Sequence, residues 1–386
     1  MKTTQAKTSL ATALIAAVSL TLAPLTATAA NPSHAVDAGT LKLGAFAPES
    51  GAYAAAGIDI IDSVRLAVVN TNKNGNVLGM KLVVDAQDSP CNPQVAVQAA
   101  QKLVNDGVAG VVGPYCSGDA IPASTIYHRA GIPMITPGSS NPKLTEQGFD
   151  DIFRTIGRDD EQGAYAARIM VNRFHAKRIA LIHDNTVYAK GVATQTQLAL
   201  RKYAGTSIVF FDALTPNSHD FSSILTHVRS AHPDVTYFTG YYSDGGLLVK
   251  QFVQLGVSGT FMAGDANNDP AFIKLAGSYA NKAFVTTAPV PQIVASASGF
   301  VRQYETTYHR GPGAYSAYAY DAANVLIHAI QMAHTASLPA VVKQLHQIKN
   351  FPGVTGPITF NAKGDRVQVQ YVTITVRNGH FVPAFT

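Results

Sequence analysis

The residues best suited to chemistry lie between Ala109 and Pro142, which reads AGVVGPYCSGDAIPASTIYHRAGIPMITPGSSNP. Apolar runs predict short strands at Ala109–Gly113 and Pro133–Thr136, with a helix over Ala120–Ala130 between them. Each strand runs into a loop of small and hydroxyl residues. The first is Tyr115-Cys116-Ser117-Gly118 and the second Pro137-Gly138-Ser139-Ser140-Asn141. In a parallel sheet both loops share one edge, and open α/β sheets bind ligands there. Ser117 and Ser140 offer hydroxyls, and glycine lets backbone N–H groups approach a small anion. The chemistry this suits is a grip on a carboxylate. Taken singly, the same serines are also ordinary turn and N-cap residues.

The other reactive side chains point away from catalysis. Cys91 and Cys116 are the two cysteines, and in an exported chain an even pair reads as one disulfide. Its loop of about 25 residues is worth on the order of 3 kcal/mol. The sharper alternative, a Cys nucleophile, needs a histidine and an acid converging on it. His183-Asp184 resembles such a pair, but His183 ends a buried strand and reads as structural. The twelve histidines are scattered, and His328 and His334 lack ligand spacing on a helix. There is no GxSxG, no HExxH and no GxxxxGK[ST]. No cofactor and no metal are expected. A hydrolase built on Ser117, an amidase or esterase, is the competing class.

The elements that position these residues alternate. Residues 1–30 read as a signal peptide: Lys2 and Lys7, an apolar run from Leu10 to Leu25, and cleavage near Ala29 or Ala30. The expected product is an exported, soluble chain. About 355 residues then remain, which suits two domains. Without the two leader lysines, 27 basic and 24 acidic residues remain, with no basic stripe, so nucleic acid is not an expected partner. From Thr40 to Thr136 the pattern is β-α-β-α-β-α-β, with helices over Ala54–Lys73 and Pro93–Asp106. In the first helix Ile58, Ile61, Val64, Ala67 and Val68 recur at three and four. Asp151–Gly157 reads as a crossover strand. The alternation restarts at Arg178–His183 and runs through a strand at Val235–Tyr242 to one at Thr260–Gly264. Ala283–Pro291 is a second connecting strand. After helices ending at Gln347, Asp365–Val376 and Phe381–Phe385 alternate like antiparallel strands around Arg377-Asn378-Gly379.

The run CNPQVAVQAAQKLVNDG, the following YCS, the PGSSNP loop and the later IHDNTVYAKG, VFFD and GYY resemble the periplasmic leucine/isoleucine/valine-binding proteins. These are receptors of branched-chain amino-acid ABC importers. The likeness spans Leu41 to Phe381 and implies an α/β fold of two doubly wound parallel-sheet lobes. Three crossovers join the lobes, which close like a hinged clamp. Lobe one would comprise residues 38–157 and 289–363, and lobe two 158–288 and 364–386. The implied function is binding of an amino acid, branched-chain or otherwise apolar, by a monomer that serves an ABC permease.

By the same likeness, Ser117 and Ser140, with backbone from Cys116 and Gly138 or Ser139, hold the ligand's α-carboxylate. Tyr188 and Tyr241 line the pocket, and Asp265 grips the α-ammonium. Two departures stand out. Asp265 replaces the family's usual glutamate, and Ala56 stands where an aromatic is common. Tyr115 occupies a place where a smaller aliphatic residue occurs. Ala56 would open room for a bulkier side chain unless Tyr53 or Tyr115 fills it. An amide, a urea-like solute or an aromatic acid is the alternative ligand for the same fold.

Overall fold

A computed structural model describes residues 39–215 and 218–385. The leader expected over residues 1–30 lies outside the described residues. Two sheets organise the rest. The first is built from β1 (Thr40–Ala47), β2 (Lys81–Asp88), β3 (Val111–Val112), β4 (Met134–Thr136) and β5 (Ile152–Arg154). Its order is β2-β1-β3-β4-β5 and all neighbours run parallel. Helices α1 (Ala54–Lys73), α2 (Pro93–Asn105) and α3 (Ser117–Ala130) connect the first four strands. Such a sheet has its switch point between β1 and β3, where loops leave on either side and open a crevice.

The second sheet repeats the plan. It comprises β6 (Arg178–His183), β7 (Ser207–Ala213), β8 (Val235–Phe238), β9 (Thr260–Ala263) and β10 (Ala283–Thr287). These run parallel in the order β7-β6-β8-β9-β10, so β6 and β8 flank an equivalent switch point. The intervening helices are α4 (Asp159–Asn172), which leads into β6, then α5 (Val187–Leu200), α6 (Ser222–Ser230), α7 (Tyr242–Gln254) and α8 (Pro270–Ala276). Helices α9 (Ser298–Tyr308), α10 (Ser316–Ala333) and α11 (Leu338–Leu345) follow, and α10 packs on α1 in the first lobe. A small hairpin, β11 (Phe351–Gly353) and β12 (Gly356–Ile358), comes next. The chain then returns to the second sheet as β13 (Val372–Arg377) and β14 (His380–Pro383), both antiparallel to their neighbours.

Chain crossings between the sheets follow β5, β10 and β12. Charge ties the first crossing to the third. Arg154 is fully buried, with Nε 2.7 Å from Asp365 Oδ1. Arg158 Nη1 lies 3.0 Å from Asp365 Oδ2, and Arg366 Nη1 donates to the Thr155 carbonyl. A buried guanidinium is tolerable only when its donors are satisfied. Arg154 meets most of that need by donating from its two Nη atoms to the Ser139 and Asn141 carbonyls and to Thr145 Oγ1.

Some expected elements shift. On α1 the expected face holds at Ile61, Val64, Ala67 and Val68, with Ile60 buried beside them, and only Ile58 departs, at 39% exposed. Helix α3 starts at Ser117, not Ala120, because the Cys116 carbonyl already accepts from Asp119 and Ala120 N–H. Strand β8 stops at Phe238, and Tyr242 begins α7. The strand expected over Asp365–Val376 is formed only from Val372 onward.

Candidate functional site

On the first lobe, the Cys91–Cys116 disulfide forms, with Cα atoms 5.6 Å apart, and anchors the turn into α3. Ser117 is the first residue of that helix. The first turn of any helix leaves N–H groups without helical partners, and these favour an anion. The Ser117 hydroxyl accepts from Asn141 N–H at 3.4 Å, which joins the two loops. Thr136, at the end of β4, organises the second loop. Its hydroxyl donates to the Pro114 carbonyl and accepts from Gly138 N–H at 3.2 Å and Ser139 N–H at 2.9 Å. The amides of Gly138 and Ser139, expected to face a carboxylate, are thus turned inward. The Ser139 hydroxyl also bridges to Pro114 and Tyr115 carbonyls. Gly138 is required for close approach, since a Cβ there would lie 2.9 Å from the Tyr115 ring. Ser140 differs: its hydroxyl is buried and has no hydrogen-bond partner.

On the second lobe, Asp184 sets both loops of the switch point. Its Oδ1 accepts from Thr186 N–H and hydroxyl, and its Oδ2 from Tyr241 N–H at 3.1 Å. Thr186 caps α5, so Tyr188 stands in that helix's first turn. Tyr188 donates to Asp265 Oδ1 at 2.5 Å. Tyr315, reaching over from just before α10, donates to Asp265 Oδ2 at 3.1 Å. Burial raises the Asp265 carboxyl above its ordinary pKa, and the Tyr188 hydroxyl is chief among the donors that oppose the rise.

Aromatic rings close the space between the lobes. Tyr241 is the hub, with ring centroids 4.5 Å from Tyr53, 5.1 Å from Tyr188 and 5.6 Å from Tyr115. Tyr115 also meets the Tyr315 ring edge-on at 5.0 Å. Asn141 Nδ2 donates across the lobes to the Val187 carbonyl. Ala56 is buried in the first turn of α1, with its amide beside the Tyr242 hydroxyl. Tyr315 escaped sequence reasoning because GAYS before a helix carries no local signal. Thr136 escaped because a threonine ending a strand is commonplace.

This arrangement can hold a zwitterion, with hydroxyls and a helix N-terminus at one end and a carboxylate at the other. Acyl transfer is poorly served. Among the described residues no histidine bonds Ser117, and His183 Nδ1 accepts from Asn185 N–H instead. The His128, Asp150 and Asp151 ligand atoms lie within 4.8 Å of one another. His128 there bonds Asp151 and stacks on Phe149, which is packing at the end of α3.

Fold and site together define a two-lobed α/β binding protein. The chain belongs to the periplasmic binding protein family, whose model matches residues 40–380. It is 34% identical to the Leu/Ile/Val-binding protein BraC3 of Rhizobium johnstonii over 89% of this chain and 94% of that one. Among solved structures, the leucine-binding protein LivK of Thermotoga maritima matches with a TM-score of 0.83 and 27% identity, over 89% of this chain and 98% of that one. LivJ of Streptococcus pneumoniae, solved with isoleucine, matches with a TM-score of 0.82 and 28% identity, over 89% and 97%.

Proposed function

We propose that this chain is a periplasmic receptor that binds one α-amino acid, branched-chain or otherwise apolar, between its lobes and delivers it to an ABC permease. Lobe one spans 38–157 and 289–363, and lobe two 158–288 and 364–386. The receptor is a monomer, its leader is removed near Ala29 or Ala30, and it leaves the ligand unchanged. Ser117 and Ser140 take the carboxylate, Asp265 the ammonium, and the tyrosines the side chain. The observation that carries this reading is the buried Asp265 held by one tyrosine from each lobe, across from an unpartnered Ser140 hydroxyl. Both features suit a ligand with a cation and an anion one carbon apart. Support also comes from relatives named for leucine, isoleucine and valine.

A melting screen against the twenty amino acids tests it, because a ligand that binds only the folded state raises Tm. Leucine, isoleucine or valine is expected to give the largest rise. A rise with benzoate or short amides and none with amino acids overturns the ligand class. Turnover of an amide or ester that disappears in Ser117→Ala overturns the receptor reading altogether.

A further inference from the structure

Asp159 is the first residue of α4, directly after the first crossing between lobes. It is fully buried, and neither carboxylate oxygen has a hydrogen-bond partner. Helix capping does not explain it, since Arg158 is the N-cap and the Glu161 carboxylate accepts from Arg158 N–H. Arg154 acts on it by charge alone, since its guanidinium hydrogen-bonds Ser139, Asn141 and Thr145 and pairs with Asp365. A buried, unpaired carboxylate is costly and calls for a cation or a proton.

Its surroundings point to a cation. Gln162 follows one helical turn later on the same face of α4 and is also fully buried. Its Nε2 donates to the Thr286 carbonyl at 3.0 Å, and its Oε1 has no partner. The Ser140 hydroxyl stands beside the Asp159 carboxyl and, with Arg154, opposes the rise that burial gives its pKa, while Asp159 N–H donates to the Ser140 carbonyl. The α5 backbone comes close at Gly191, where a Cβ would lie 2.7 Å from Asp159 Oδ2 and 2.5 Å from Asn141 Nδ2. One on Gly264 would lie 3.0 Å from the Tyr188 hydroxyl and 3.6 Å from Gln162 Nε2. The Asp159–Gln162 face of α4 therefore reaches the turn that carries Asp265. A primary ammonium has three donors to place, and this corner holds unpaired acceptors.

We infer that Asp159 is a second carboxylate of the ligand site, which with Gln162 receives the ammonium of the bound amino acid from the hinge side, complementing Asp265. The inference rests on the amino-acid reading above. It assigns the hinge a share in recognition, because the acid begins the helix that the crossing enters. It also makes a free primary amine a requirement of the ligand.

Calorimetric titration of the purified chain with L-leucine and with its 2-hydroxy analogue, which keeps the carboxylate and side chain, tests this. Removing one partner of a buried charge pair should weaken L-leucine binding about 30-fold or more in Asp159→Asn. Binding of the hydroxy acid should hold or improve. Gln162→Leu, which leaves every charge in place, should weaken L-leucine about tenfold and spare the hydroxy acid. It keeps the test alive if Asp159→Asn folds poorly. An Asp159→Asn affinity for L-leucine within about twofold of the original overturns the inference, as does an equal loss for both ligands. If the original chain binds none of the twenty amino acids, the amino-acid reading fails first and takes the inference with it.

Discussion

The two ends of the proposed site solve opposite electrostatic problems with opposite means. The first-lobe end offers the ligand hydroxyls and backbone in place of a charge; the acid in the first turn of α3, Asp119, is buried and accepts from the Ser89 hydroxyl. That end is made of hydroxyls and the start of α3, with Thr136 and the disulfide holding the loops. Backbone dipoles and hydroxyls stay neutral when nothing is bound, so burying them is cheap. The second-lobe end is built on a real charge, Asp265, buried with phenol donors on both oxygens. A buried carboxylate must be compensated, and the tyrosines do part of that work. One of them, Tyr315, comes from the opposite lobe, so the acid also links the lobes.

That contrast can be broken most sharply at the acid. Asp265→Asn keeps shape and removes charge, and should weaken L-leucine binding by about 100-fold or more. Calorimetry measures it, and an affinity within about threefold of the original would place the ammonium elsewhere. Ser140→Ala and Ser117→Ala should each cost about tenfold, since a hydroxyl lost to a carboxylate is a charge-assisted bond with neighbours to share its load. Isoamylamine, which lacks the carboxylate, should bind equally well with or without the serine, and a loss for it would assign the hydroxyl to the amine. The smallest effect is on stability against pH. Burial pushes the carboxyls of Asp159, Asp119 and Asp269 up to about 8, 7 and 6 from an ordinary 3.8. Each holds its proton in the folded chain over a range where the unfolded chain has lost it, so folding stability falls as pH rises from about 4 to about 8. Tm without ligand should drop across that window, and Asp159→Asn should raise Tm at pH 8 by about 2 °C or more. A flat Tm from pH 4 to 8 would show that these acids are solvated in the free chain.

Much of the plan was readable along the chain. The β/α alternation, its restart at Arg178 and the pairing of Cys91 with Cys116 are local or combinatorial signals, and the structure carries them. Errors fell at boundaries. Ser117 looked like loop because small residues carry no helical period, yet the Cys116 carbonyl recruits it into α3. Ile58 fits the apolar spacing of α1, yet it stands exposed while Ile61, Val64, Ala67 and Val68 are buried.

The amino-acid sequence by itself determined the two-lobe repeat and the strand-end loops, because strand and helix periodicity and loop chemistry are written in near neighbours; Asp265 was singled out only by likeness to the leucine/isoleucine/valine-binding proteins. Tertiary structure alone decided what completes the site. Tyr315 meets Asp265 across 50 positions, and Tyr53 meets Tyr241 across the lobes. Gln162 reaches Thr286 across 124 positions, on the same helix face as Asp159. Such partners are chosen by which loops two switch points bring together, and no spacing along the chain encodes that distance.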